Sequence, residues 1–151
     1  ARMNYADVLH VMGELDAALY QLDRLDALAL VYNASLPLSR VARAHILLER
    51  GEVDATRQLM EGLESGADRT GMVVGLTWVV VELLDGAPQV ARQVLSRLPV
   101  SDWWVAERRY IEAWLDRRSV GHQAGCDFLH ILHRIHAAWR RREGPSVSRS
   151  G

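Results

Sequence analysis

The sequence predicts an all-α protein built from stacked helical hairpins, and two observations carry this prediction. The segment GELDAA at residues 13–18 returns 38 positions later as GEVDAT at residues 51–56. Apolar residues also recur at helical spacing on both sides of each copy, as in the leucines of residues 15–28. A repeat of roughly this length is typical of helical-hairpin arrays, in which each unit buries its apolar face against the next.

The repeated segment has the chemistry of a turn between two helices. A glycine adopts positive φ without strain, so the first helix can end at Gly13 or Gly51. Acidic residues follow at once, where carboxylates meet the positive end of the next helix dipole. A third copy aligns with Gly86, and a degenerate fourth copy places Val120 at the glycine position. We therefore expect four antiparallel hairpins.

Caps and breakers divide the chain into eight predicted helices. Ser39 is predicted to cap the third helix and Pro88 to open the sixth. The fifth segment is apolar on almost every side, which predicts a central helix. The predicted spans are 2–12, 14–31, 39–50, 52–64, 70–85, 88–98, from 101 or 102 to about 115, and about 120–142. We expect one repeat domain over residues 1–143, followed by a disordered tail or linker over 144–151.

The spacing of small residues resembles that of the tetratricopeptide repeat family. The small position in each first helix is taken by Ala6, Ala44, Val79 and Ala113, and that in each second helix by Ala18, Thr56, Ala91 and Gly125. The resemblance implies a right-handed superhelix with a concave groove lined by the first helices. The repeats are also loosely similar to the helical arrays of large bacterial transcriptional activators of the maltose-regulator type, in which the array receives an effector.

The resemblance assigns a set of residues to the groove. Its register points to Asp7, His10, Val41, His45, Leu48, Leu76, Val80, Leu83, Tyr110, Trp114 and Arg117. The middle of this set is apolar, which suits an amphipathic helix, a neighbouring domain or a lipophilic small molecule. The alternative is that Leu76, Val80 and Leu83 are simply buried between helices. We expect a scaffold or sensor module that binds a protein segment or a small effector.

Composition narrows the class of protein. The net charge of −1 argues against direct binding of nucleic acid. The longest apolar run, residues 72–84, is too short to cross a bilayer, and the lone cysteine fits a reducing compartment. These features predict a cytoplasmic protein without a cofactor. Trp103 and Trp104 are candidates for an oligomer contact.

Histidines cluster on the eighth predicted helix. His122, Cys126, His130, His133 and His136 follow one another at steps of four, four, three and three residues, which gathers them on one side. The first four could bind zinc, but we favour the simpler interpretation that they form a solvated face that is rich in histidine. No phosphate loop, HExxH motif or nucleophile elbow occurs, and Cys126 with His130 lacks an orienting third group. We therefore expect no enzymatic activity.

Overall fold

In the computed structural model, the described part of the chain is entirely helical. The structure describes residues 2–31, 37–117 and 127–150, with the side chains of 5–30, 37–117 and 128–143. Eight helices lie within these ranges, and they contain no strand. The helices are α1 (Arg2–Val11), α2 (Leu15–Val31), α3 (Pro37–Glu49), α4 (Val53–Met60), α5 (Arg69–Leu84), α6 (Pro88–Arg97), α7 (Val105–Leu115) and α8 (Asp127–Ser150).

The first six helices form three hairpins whose members pack in two layers. α1 contacts α2, α3 contacts α4, and α5 contacts α6. The odd-numbered helices lie side by side, because α1 contacts α3, α3 contacts α5 and α5 contacts α7. The central helix of the layer is confirmed as buried: eleven of the 16 residues of α5 are buried. This layer of α1, α3, α5 and α7 forms the surface predicted to be the groove.

The turn glycines behave as the repeat predicted. Gly13, Gly51 and Gly86 have φ values of 84°, 78° and 78°, in the region that favours glycine. Pro88 opens α6, as predicted. The prediction that Ser39 caps the third helix is wrong. Ser39 lies inside α3, and its hydroxyl donates a hydrogen bond to Asp26 Oδ1 at 2.7 Å. A packed serine between two hairpins and an N-cap serine look alike in sequence.

The last helix does not form the predicted fourth hairpin. Tyr110 of α7 lies 4.4 Å from His133 and Trp114 lies 4.0 Å from His136, measured between ring centroids. The residue numbers of both helices rise together, so α8 runs parallel to α7 rather than antiparallel. α8 also contacts α1 and α3, which are far from α7 in the stack. It therefore packs against the layer of odd-numbered helices and contacts several members of that layer.

Helix ends at the C-terminal side also differ from expectation. α7 begins at Val105, after Trp103 and Trp104, and α8 continues through Ser150 instead of ending near Arg142. The predicted fourth-repeat residues Val120 and Gly125 lie outside the described residues. The division of the chain at residue 143 stays a prediction. Among the described residues, no helix combines the length and apolar character needed to cross a bilayer.

Candidate functional site

The predicted groove contains the last helix of the same chain. α8 packs against α1, α3 and α7, and its apolar residues join the main core together with residues of α3, α5 and α7. The α8 residues buried there are Phe128, Leu129, Ile131, Leu132 and Ile135. An amphipathic helix thus occupies the surface that the resemblance assigns to a partner.

A buried carboxylate anchors the middle of α8. Glu49, the last residue of α3, is 8% exposed and accepts hydrogen bonds from Arg134 Nε and Nη2, both at 2.8 Å. His10 of α1 is 2% exposed and donates its Nε2–H to Glu49 Oε1 at 2.8 Å. The arginine fork fits both carboxylate oxygens, which makes this a geometrically specific bond. One carboxylate therefore joins α1, α3 and α8.

Burial and hydrogen bonding act in opposite directions on this cluster. Burial lowers the pKa of His10, and the neighbouring Glu49 only partly counters this effect. Burial alone would raise the pKa of Glu49, but the hydrogen bonds from Arg134 and His10 hold it below its ordinary value. Glu49 is therefore ionised at neutral pH, and Arg134 supplies its counter-charge.

Two arginines of α8 also cover the C-terminal ends of α1 and α3. Arg134 Nη1 lies 3.5 Å from the Val11 carbonyl, and Arg142 Nη1 donates to the Glu49 carbonyl at 3.0 Å. These carbonyls lack partners within their own helices, and the guanidinium charge complements the negative end of the dipole. A Cβ on Gly13 or Gly51 would lie 3.3 Å or 2.9 Å from these arginines. The repeated glycines therefore also leave room for the side chains that seat α8.

The C-terminal half of α8 packs against α7 through rings. His136 stacks on Trp114, and its Nδ1 lies 2.7 Å from the Tyr110 hydroxyl in a buried hydrogen bond. Burial lowers the pKa of His136 to about 4. Trp114 Nε1 is buried, and the described part of the structure offers it no hydrogen-bond partner. An unpaired buried donor costs about 1–3 kcal/mol, so this contact is weaker than its ring packing suggests.

The N-terminal end of α8 packs on α3. Phe128 stacks on His45, with 5.1 Å between the ring centroids. His45 is 4% exposed, and burial lowers its pKa to about 3. Thr77 donates its hydroxyl to the Val73 carbonyl, so it accepts from His45 Nε2–H at 2.8 Å. His45 is therefore a neutral member of the packing, with its proton on Nε2.

A cleft of about 70 Å³ remains open beside Phe128. Its walls come from α1, α3, the first turns of α5, the residue before α7 and the start of α8. Trp104 lines it in a left-handed backbone conformation (φ 61°) that costs a non-glycine residue about 1–3 kcal/mol. The indole Nε1 donates to the Arg69 carbonyl at 2.8 Å, and its ring meets Phe128 edge-on. The guanidinium of Arg69 lies over the same indole, 5.6 Å from its centroid.

The residues predicted for the groove separate into three sets and one exposed residue. Asp7, Val41 and His45 line the cleft, and His10, Tyr110 and Trp114 hold α8. Leu48, Leu76, Val80 and Leu83 are core residues, at 0%, 0%, 1% and 8% exposure. Arg117 is exposed just after α7, with a φ of 56°. Part of the apolar middle of the predicted groove is therefore ordinary core, and the assignment of this surface to a partner stays a prediction.

The predicted histidine face is only partly present. The prediction that His136 belongs to a solvated face is wrong, because this side chain is 8% exposed and packs against α7. His133 is exposed and His130 is half-buried, while His122 and Cys126 lie outside the described residues. Within the described ranges, no group of three His, Cys, Asp or Glu side chains is placed to hold a metal ion. The metal hypothesis on residues 122–133 stays a prediction.

Four side chains of the candidate site were not predicted from the sequence: Glu49, Arg69, Arg134 and Arg142. Each is a charged residue on a helix surface, and helical periodicity treats such residues as solvated. The signal that could have found Arg134 is its position three residues after Ile131, which places it at the edge of the apolar stripe of α8.

Comparison of the chain with protein-family models, with curated proteins and with solved structures gives no match.

Proposed function

We propose that this protein is a helix-binding scaffold of the tetratricopeptide-like class, in which α8 is the resident occupant of the groove. The three hairpins α1–α2, α3–α4 and α5–α6 are the repeat units of a right-handed superhelical array. In this proposal α8 is a ligand of the array rather than its fourth unit. The partner is an amphipathic helix of another protein or of a neighbouring domain, which exchanges with α8, as in a module of a larger bacterial regulator.

The proposal rests on the direction of α8 and on the contacts that it makes with the other helices. It runs parallel to α7 and packs against α1, α3 and α7, and an amphipathic helix binds a hydrophobic groove by laying its apolar face against the surface in this manner. Its apolar side packs in the core, and its Arg134 side chain binds the buried carboxylate of Glu49. The groove therefore recognises an apolar helical stripe with one arginine beside it.

Two features favour exchange over permanent burial of α8. Arg134 is 35% exposed, so water can compete for its guanidinium. Trp114 Nε1 has no acceptor among the described residues, so the contact of α8 with α7 leaves a donor unsatisfied. A partner helix that offers an acceptor at this position would gain a hydrogen bond that α8 does not make.

A labelled peptide with the sequence of residues 127–143 tests the groove directly. Arg134→Glu in the full chain places a second carboxylate against Glu49 and should unseat α8. We expect saturable binding of the peptide to this variant, and at least about tenfold weaker binding to the wild-type chain, where α8 competes at high effective concentration. A peptide carrying Ile131→Asp and Ile135→Asp is the matched control and should not bind. A folded variant that fails to bind the first peptide contradicts the proposal.

Native-state hydrogen exchange of the wild-type chain gives a second test that needs no variant. If α8 exchanges with partners, its amides should open at a lower free energy than those of α3 and α5. Equal opening free energies in all three helices would show that α8 leaves the groove only on global unfolding. That result would make α8 a permanent part of the core.

A further inference from the structure

We propose that the cleft beside Phe128 is a binding site for a short-chain aliphatic carboxylate, with Arg69 as the group that receives the carboxylate. This proposal does not depend on the exchange of α8 with a partner helix, because the cleft is present while α8 is packed against α1, α3 and α7. It rests on the shape of the cleft, on the guanidinium of Arg69 at its edge, and on the strained residue that forms one wall.

The lining of the cleft selects an apolar group. Leu38, Val41, Ala42, Val73 and Ile131 supply aliphatic surface, and Phe128 and Trp104 supply rings. An apolar cavity of about 150 Å³ accepts benzene. The cleft has about 70 Å³, which is too small for a ring and suits a chain of a few carbons.

The charge at the edge selects an anion. Within the described ranges, Arg69 forms no ion pair with a carboxylate, and its guanidinium lies over the face of Trp104 at the edge of the cleft. Charge-assisted bonds from arginine to a carboxylate are short and bidentate. Asp7 lies in the same lining and already takes part in an interaction of its own. Its negative charge would repel the ligand's carboxylate, so the ligand should enter with its hydrocarbon toward Val41 and its carboxylate at Arg69.

The backbone of Trp104 gives an independent reason to regard the cleft as a built feature. Its positive φ is a strained conformation that persists only when the surroundings fix it. Here the fixing contacts are the bond from its indole to the Arg69 carbonyl and the edge contact with Phe128. These contacts hold the ring as a wall of the cleft and bring Arg69 to the same place.

Isovalerate is the probe for this site, with isopentanol as the uncharged analogue of nearly the same shape. We expect the indole N–H signal of Trp104 in the ¹H–¹⁵N spectrum of the full chain to shift saturably with isovalerate, with a dissociation constant of about millimolar order. Isopentanol should bind about tenfold more weakly, since it cannot form the charge-assisted bonds. Benzoate should not produce the shift, because its ring exceeds the cleft.

Matched variants assign the roles of the residues. Arg69→Gln should weaken isovalerate binding about tenfold and leave isopentanol binding unchanged. Arg97→Gln, an exposed arginine on α6, is the control and should bind both probes as the wild type does. Leu38→Trp should fill the cleft and abolish both shifts.

Three results would overturn the proposal. The first is a wild-type chain that shows no saturable shift with isovalerate up to its solubility limit. The second is isopentanol binding as tightly as isovalerate, which would show that no cation receives the carboxylate. The third is Arg69→Gln binding isovalerate as tightly as the wild type while its circular dichroism matches that of Arg97→Gln. Each of these is independent of the peptide experiment, so failure of one proposal does not imply failure of the other.

Discussion

Substituting Glu49 by glutamine tests the bond that joins α8 to the rest of the protein. Glutamine keeps the shape of the side chain but replaces one acceptor oxygen with an NH₂ group facing the donors of Arg134 or His10. Each fully buried charge-assisted hydrogen bond contributes about 1.5–3 kcal/mol, and Arg134 donates two of them. Because Arg134 is 35% exposed and can turn to water, we expect a total loss of about 2–3 kcal/mol in the free energy of unfolding.

Urea unfolding at pH 7.5 measures this change, and a double-mutant cycle with Arg134→Gln isolates the pair. We expect a coupling energy of about 1–2 kcal/mol between the two substitutions. The exposed pair of Arg50 and Asp16, at 3.0 Å, provides the control. Asp16 is 98% exposed, so Arg50→Gln should change stability by less than about 0.5 kcal/mol. A Glu49→Gln effect no larger than this control, or a coupling energy near zero, would refute the anchoring role of Glu49.

Three further predictions concern stability. Ala44 is fully buried between helices, so Ala44→Trp should overfill the contact and lower the free energy of unfolding by about 1–3 kcal/mol or more, and an unchanged melting temperature would contradict the packing. Arg117 has positive φ just after α7, so Arg117→Gly should raise the free energy of unfolding by about 1 kcal/mol, as measured by urea unfolding. A lower free energy of unfolding in this variant would mean that contacts of the arginine side chain outweigh the relief of backbone strain. The folded-state pKa values of His45 and His136, about 3 and about 4, lie below that of an unfolded histidine, so their contribution to stability is present above the unfolded pKa and lost as pH falls. Lowering the pH from about 7.5 to about 5 should cost about 2 kcal/mol for each of the two, and pH-independent urea midpoints in this range would refute the burial of neutral rings.

The hairpins were predictable because their signals are local. A glycine at the end of a helix and an acidic residue after it act within one turn of chain, and the φ values of Gly13, Gly51 and Gly86 agree with that reading. The apolar character of α5 also identified it as central, because a helix apolar on all sides must be covered on all sides. These inferences needed no knowledge of which helices are neighbours.

The direction of α8 could not be read in the same way. An amphipathic stripe specifies which side of a helix is buried, but it is the same whether the helix runs parallel or antiparallel to its neighbour. Helical spacing placed His136 with exposed histidines, whereas α8 is surrounded by α1, α3 and α7 and buries a wider arc than a terminal hairpin helix would. The width of that arc depends on the number of neighbours, which is a tertiary property.

The sequence by itself determined that this chain is helical, that its first six helices turn back in pairs at Gly13, Gly51 and Gly86, and that α5 is central, because each of these follows from contacts within a few residues. Only the tertiary structure decided that α8 packs against α1, α3 and α7 and that Glu49 accepts hydrogen bonds from Arg134, 85 residues away in the chain. It also decided that a small cleft remains at Trp104. Pairing of distant charges and filling of a groove depend on where helices meet in space, and helical periodicity carries no information about that.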